Sequence, residues 1–260
     1  MKEGDLINFE YEGWTEGNLF DTTNESLAKK NDMHDERKNY TPLLVVVGEG
    51  RLVPGLEKDL KKAKVGEKRE VVIAPVDGYG ERDTKLIQTE SLSKIRRLNP
   101  DAQLFQGAEI ELEGKHGQLV AIFGSRARID YNHYLSGKEL TFKYKVCSKI
   151  SKEEEKISSL FKLNYPVDED IHVSVKKNSA TITLPERCKF DAVCFQAKYR
   201  VVSSLRKYAK IKDVKFVEEY IEKDTESDNK KEPKKSKSKK KPKKSASKKK
   251  TSSKKSISKQ

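Results

Sequence analysis

The side chains that most often carry chemistry are scattered in this sequence. Its four histidines, His34, His116, His133 and His172, share no ligand spacing, so the pattern of a metal centre is missing. Cys147, Cys188 and Cys194 are an odd number without a CxxC pair, which reads as small apolar packing residues in a reducing cytoplasm. No GxxxxGK[ST] run offers a phosphate cradle, GEGRLVPG is not a GxGxxG fingerprint, and no serine or cysteine occupies a nucleophile elbow. The expectation is therefore neither a hydrolase nor a nucleotide enzyme, with no metal and no cofactor. What the chain does offer is aromatic residues and one aspartate set among apolar turns: YEG at 11–13, GNLFDTT at 17–23, GEGRLVPGLEKDL at 48–60, APVDGYGERD at 74–83 and NHYLSGKELTFKYKV at 132–146. The third has three glycines and a proline running into a helix. Such an elbow has no nucleophile, and whatever it does must come from apolar surface and fixed backbone.

Those turns need a scaffold, and alternation supplies it. Ile7, Phe9 and Tyr11 fall on one face at period two, as do Leu140, Phe142, Tyr144 and Val146, the signature of half-buried strands. Strands are also expected at 41–47 and 69–73, with a helix at 56–64 after the Pro54-Gly55 punctuation. Together they predict an antiparallel sheet curled over one short helix, an α+β core. Residues 84–130 interrupt that sheet with a polar helix near 90–98 and paired short strands near AEIELEG and QLVAIFG, which reads as an inserted domain. Trp14 reads as a packing residue of the GWTEGN turn.

Beyond residue 150 the pattern changes again. Ile157, Leu160 and Phe161 sit at helical spacing; Ile171, Val173 and Val175 face Ala180, Ile182 and Leu184 across a Lys-Lys-Asn-Ser turn. Asp191 opens a second helix with Ala197, Val201, Leu205 and Tyr208 as its stripe, and VKFVEEYI closes the unit as a strand. The domains expected are thus 1–83 plus 131–150, an insert at 84–130, an α-β-β-α-β unit at 151–222 and a tail at 223–260.

Charge separates the tail from the rest. The protein carries +14 overall, yet residues 230–260 hold 16 lysines and one acid, leaving the first 229 residues at −1. A segment so polar buries too little to offset ordering entropy and is expected to be disordered. No run approaches the ~18 apolar residues of a membrane helix, and MKEGDLINFE has no signal-peptide core.

The combination GxGxLVPGLE, APxxGYG and NHxLxGK resembles the FK506-binding type of peptidyl-prolyl cis/trans isomerase in its SlyD-like form. The likeness runs through residues 1–150 and includes the insertion between the GYG and NHxLxGK segments. The helix–hairpin–helix–strand extension resembles the C-terminal domain of long archaeal members. The resemblance implies a rotamase whose catalytic pocket is built from Tyr11, Phe20, Asp21, Leu52, Val53, Leu56, Tyr79 and Phe142, with Leu43, Val45, Pro54, Gly55 and Leu135 as further substrate-contacting or shaping residues. Within it the Val53 N–H and the Tyr79 hydroxyl would hold substrate carbonyls, Asp21 would sit beside the twisting bond, and Leu56 would floor the pocket where many eukaryotic members carry tryptophan. Tyr134 and Ser136 depart from the commoner residues of the NHxLAG motif. The insert resembles a flap with chaperone activity, through Leu92, Ile95, Leu98, Leu104, Phe105, Leu119, Ile122 and Phe123. The histidine-rich nickel tail of SlyD-like proteins has no counterpart among these lysines.

Partners follow from the same reading. Unfolded or nascent chains with X-Pro bonds are the expected clients. The lysines of 230–260 are suited to non-specific RNA, DNA or ribosome contact, with no membrane partner, and the C-terminal unit is a candidate for homodimerisation. The rival reading is a non-catalytic module that binds proline peptides and is tethered by its tail.

Overall fold

The computed structural model describes residues 1–167 and 169–220, so the lysine-rich tail of the sequence reading lies outside the described residues. In chain order the strands and helices are β1 Leu6–Thr15, β2 Asn18–Thr22, α1 Glu25–Lys30, β3 Leu43–Val46, α2 Pro54–Leu60, β4 Lys68–Ile73, β5 Ile87–Ser91 and α3 Leu92–Leu98. They continue as β6 Glu109–Leu112, β7 Lys115–Phe123, β8 Arg126–Asp130, β9 Leu140–Ile150, α4 Glu153–Asn164, β10 His172–Lys176, β11 Ser179–Thr183, α5 Ala192–Ser204 and β12 Asp213–Val217. The architecture is α+β, as expected. No helix among the described residues is long and apolar enough to cross a membrane.

The first sheet has the order β2-β1-β9-β4, with β3 pairing the N-terminal half of β1. Every pairing in it is antiparallel. Alternation puts Ile7, Phe9, Leu140, Phe142, Tyr144 and Val146 on the inner face, where they pack on Leu56 and Leu60 of α2 in one core. Gly55 allows that approach: a Cβ there would lie 2.5 Å from Ile73 Cγ2. The helix is shorter than expected. It ends at Leu60, and the Met1 ammonium donates to the Lys61 and Ala63 carbonyls beyond it. Trp14 belongs to β1 itself, and the turn is the two residues Glu16 and Gly17, both at positive φ, as a tight hairpin requires.

Residues 87–130 make a separate four-stranded sheet, β5-β8-β7-β6, covered by α3. The helix expected from residue 90 starts two residues later because Ser91 caps it, accepting from Lys94 N, and Glu90 pairs in β5. Ile95 and Leu119 are fully buried there, whereas Leu98, Phe105, Ile122 and Phe123 are exposed.

The C-terminal elements follow the order α4-β10-β11-α5-β12, with β12 adding parallel to β11. Asp191 caps α5 through Val193 N. Cys188 and Cys194 are buried, Cys147 half-buried, and all three thiols are free. Burial pushes the Cys188 thiol up to about 12. The core of this unit extends onto the first sheet: Leu6, Val46 and Ile150, cross-strand neighbours on its outer face, pack with Ile157, Leu160 and Phe161. That end of the sheet is therefore buried on both faces.

Candidate active site

The β1–β2 hairpin, the elbow before α2 and strand β9 bring aromatic residues from distant parts of the chain together. Phe20 meets Phe142 edge-on with centroids 5.6 Å apart, and Tyr11 lies 6.2 Å from Phe142. Phe20 reaches this place across a bare backbone, since a Cβ on Gly13 would lie 2.6 Å from its ring. Leu52 and Val53 pack against the same cluster. Val53 is extended at the N-cap of α2, Pro54 takes the first helical position, and no acceptor for the Val53 N–H is found among the described residues. Proline at that position loses no helical hydrogen bond.

Asp21 stands at the edge of the aromatic cluster. Tyr11 donates to its Oδ2 at 2.5 Å, the Thr22 N–H donates to Oδ1 at 2.9 Å, and Lys38 pairs with Oδ1. Lys38 was not among the expected residues; it arrives from the 31–42 loop, where no sequence signal separates it from other surface lysines. Burial first, then the bond to the Asp21 carboxylate, pushes the Tyr11 phenol well above its ordinary range. It is a protonated donor at neutral pH.

Tyr79 is supported from a different direction. Its ring stacks on His133 at 4.2 Å with the planes 4° apart, while Ser136 Oγ donates to the Tyr79 carbonyl and Gly137 N to the Gly80 carbonyl. His133 Nδ1 accepts from Leu135 N, which holds its loop locally. Burial and the charge of Asp21 push the Tyr79 phenol up, and with 40% of the residue exposed it faces solvent.

The remaining expected residues divide by depth. Val45, Leu56 and Leu135 are buried within the core, and Leu43, on the same strand face as Val45, is 38% exposed at the sheet end. A cleft of about 760 Å³ beside the cluster shares Tyr11 with it, but charged residues such as Glu12, Lys68, Glu70 and Lys143 line it. That wall suits an amide to be stripped of water poorly. One network was not foreseen at all. Asp59 of α2 takes both Arg69 Nε (2.9 Å) and Nη2 (2.8 Å), and Tyr144 donates to its Oδ2 at 2.6 Å.

An antiparallel sheet packed on a proline-started helix, with aromatic rings on its inner face and one fixed carboxylate at their edge, defines an α+β fold with an aromatic candidate site. A family model described as FKBP-type peptidyl-prolyl cis-trans isomerase matches residues 1–93, and one described as FKBP26_C-terminal matches residues 153–221. A short-type peptidyl-prolyl cis-trans isomerase of Methanocaldococcus jannaschii is 34% identical over 146 residues, covering 56% of this chain and 92% of that protein. The FKBP-type isomerase SlyD of Helicobacter pylori is 29% identical over 130 residues, 47% of this chain and 68% of its own. A probable FKBP-type 16 kDa isomerase of Pseudomonas fluorescens is 31% identical over 115 residues, 43% and 75% respectively. The chain belongs to the FKBP-type peptidyl-prolyl cis-trans isomerases, and it is a SlyD-like rotamase.

Proposed function

We propose that the enzyme accelerates proline-limited folding by twisting the X-Pro amide inside the Tyr11–Phe20–Phe142 cluster, with captured unfolded chains supplied by the inserted domain. A peptide bond resists rotation by about 18–20 kcal/mol because resonance holds it planar, and X-Pro bonds interconvert over tens to hundreds of seconds. The planar amide carries more negative charge on its oxygen than the twisted one. A water-excluding aromatic wall favours the twisted state over the ground state. Each ~1.4 kcal/mol of that preference is worth about tenfold in rate. No proton moves and no covalent bond forms.

In this reading Phe20, Leu52 and Phe142 are the apolar walls and Leu56 the floor. The Val53 N–H and the Tyr79 hydroxyl hold substrate carbonyls on either side of the bond. Asp21, held by Tyr11 and Lys38, lies beside the rotating amide, and Pro54 with Gly55 sets the angle of the elbow. Leu43, Val45 and Leu135 complete the surround. The observation that carries the proposal is the Tyr11–Asp21 bond at the border of the edge-on Phe20–Phe142 pair. It is tested by the rate of isomerisation of a short X-Pro peptide with the parent, Tyr79→Ala and Asp21→Asn. A rate that survives both substitutions intact removes the pocket assignment.

Exposed Leu98, Phe105, Ile122 and Phe123 on the inserted sheet support capture of unfolded chains. A cytoplasmic location, with nascent chains as clients, is part of this reading. Tethering to a polyanion by the lysines of 230–260 is compatible with catalysis and rests on composition alone.

A further inference from the structure

Helix α5 buries Cys194, Ala197, Val201 and Ser204, and its other side is unusual for a surface helix. Phe195 is 73% and Tyr199 82% exposed, four residues apart and so on one face. Along the same face run Ser203, Arg206 and Lys207. Residues 192–212 hold six cations and no acid. Past Ser204 the helix continues as a π turn, Leu205–Ala209, and stops at Lys210 in the left-handed conformation. Such turns occur often at functional sites. Two shallow hollows flank that turn, about 360 and 400 Å³, and share Arg206 between them. Tyr199, Val202, Ser203 and Lys207 line the first and Lys210, Ile211 and Lys212 the second, without a carboxylate in either. Arg206, Lys210 and Lys212 form no ion pair among the described residues.

The geometry points to a binding track for single-stranded nucleic acid along this face of α5. Exposed aromatic rings next to unpaired cations are the two components that single strands require: π-faces for bases and positive charge for the backbone. Arg206, between the two hollows, offers the planar fork that grips a phosphate. The lysine-rich residues 230–260 bring charge alone. The ordered helix adds the stacking surface and the arginine that the tail's composition lacks. A second copy of the chain is the less suitable occupant. A twofold contact sets a patch against itself, and here that would set Arg206, Lys207, Lys210 and Lys212 against the same four cations.

The test uses the full chain and two probes: a labelled oligouridylate of about a dozen nucleotides and heparin, a polyanion without bases. Tyr199→Ala combined with Phe195→Ala is expected to weaken oligouridylate binding about fivefold or more and to leave heparin binding alone. Arg206→Ala is expected to weaken both probes and to lower the salt slope for the oligouridylate by about 0.7. Short-peptide isomerisation, unchanged in every variant, certifies the fold. Equal loss of heparin and oligouridylate binding in the aromatic variant, or no loss of either, overturns the track and leaves the tail as the polyanion binder. A fall from dimer to monomer in sedimentation, with oligouridylate affinity intact, overturns it in favour of a second copy.

Discussion

Tyr11 and Asp21 are joined across the β1–β2 hairpin by a 2.5 Å hydrogen bond from phenol to carboxylate. The bond fixes one oxygen of Asp21 while Thr22 and Lys38 fix the other. The carboxylate is therefore held in one orientation, as electrostatic preorganisation would demand of its proposed role.

Tyr11→Phe keeps the ring contacts with Phe9 and Phe142 but deletes the donor. The expected loss in kcat/KM is about tenfold, the low end for a hydrogen bond to a charged group. NMR exchange spectroscopy on an X-Pro peptide measures it, and an unchanged kcat/KM would separate Asp21's orientation from the rate. Because the Tyr11 and Tyr79 phenols are both pushed up, the parent rate is expected to stay flat up to about pH 10. A decline setting in well below that would show that one of these phenols ionises early.

Gly13 and Gly55 make opposite demands on a new methyl group. At Gly13 it would meet the far edge of the Phe20 ring at 2.6 Å; at Gly55 it would meet Ile73 Cγ2 at 2.5 Å, inside the core. Phe20 can swing aside, so Gly13→Ala is expected to raise KM with unfolding free energy nearly unchanged. Ile73 cannot, so Gly55→Ala is expected to cost about 1–3 kcal/mol of stability. Peptide kinetics and urea unfolding of both variants check the pair, and Gly55→Ala should cost less in an Ile73→Ala background, where Cγ2 is gone, than in the parent.

Asp59 lies 85 residues from Tyr144 and is bound to it and to Arg69. The Arg69 guanidinium beside it holds the Asp59 carboxyl below its ordinary range. A lowered folded-state pKa means stability present above the unfolded value of about 3.9 and lost as pH falls through the folded one. Arg69→Ala leaves a buried carboxylate unpaired and should cost about 3 kcal/mol or more at neutral pH. It should also flatten the loss of stability between about pH 4 and pH 2. Urea midpoints measured across that range test both, and an acid limb as steep as the parent's would mean that other carboxylates carry it.

Much of this was legible from period and punctuation. The alternation from Leu140 to Val146 did mark a buried strand face, Pro54-Gly55 did open a helix, and Val173 does face Ile182 and Val175 Ala180 across the C-terminal hairpin. Those signals are local, and local periodicity survives folding wherever one face is buried. The Asp59–Arg69–Tyr144 network has no local signal, because its members share no spacing and meet only once α2 lies across β4 and β9. Lys38 was hidden for the same reason. Strand β8, RARID, was missed because its arginines mask the alternation of Ala127 and Ile129, both fully buried. Leu6, Val46 and Ile150 lie on the opposite face from Ile7 and Phe9, and their burial depends on C-terminal elements that no local period announces.

The inserted sheet offers the sharpest test of the proposed capture of unfolded chains. Ile95, Leu119 and Ile129 form its core, whereas Phe105 is 58% and Phe123 45% exposed. Exposed aromatic area of this kind can bind an unfolded chain at little cost to the unit's own stability. Its two connecting segments are cross-linked to each other. Arg82 pairs with Asp130, and Asn132 bonds the backbone of Asp83 from both sides, accepting from N and donating to O at 2.9 Å. Phe105→Ser with Phe123→Ser is therefore expected to leave short-peptide isomerisation intact while slowing catalysed refolding of a proline-limited protein about tenfold, since only the long substrate gains effective concentration from a second attachment. Parallel assays on one preparation decide it. Equal rates of refolding in parent and variant would mean that the pocket finds prolines unaided, and a matching fall in the peptide assay would mean that the substitutions had disturbed the fold.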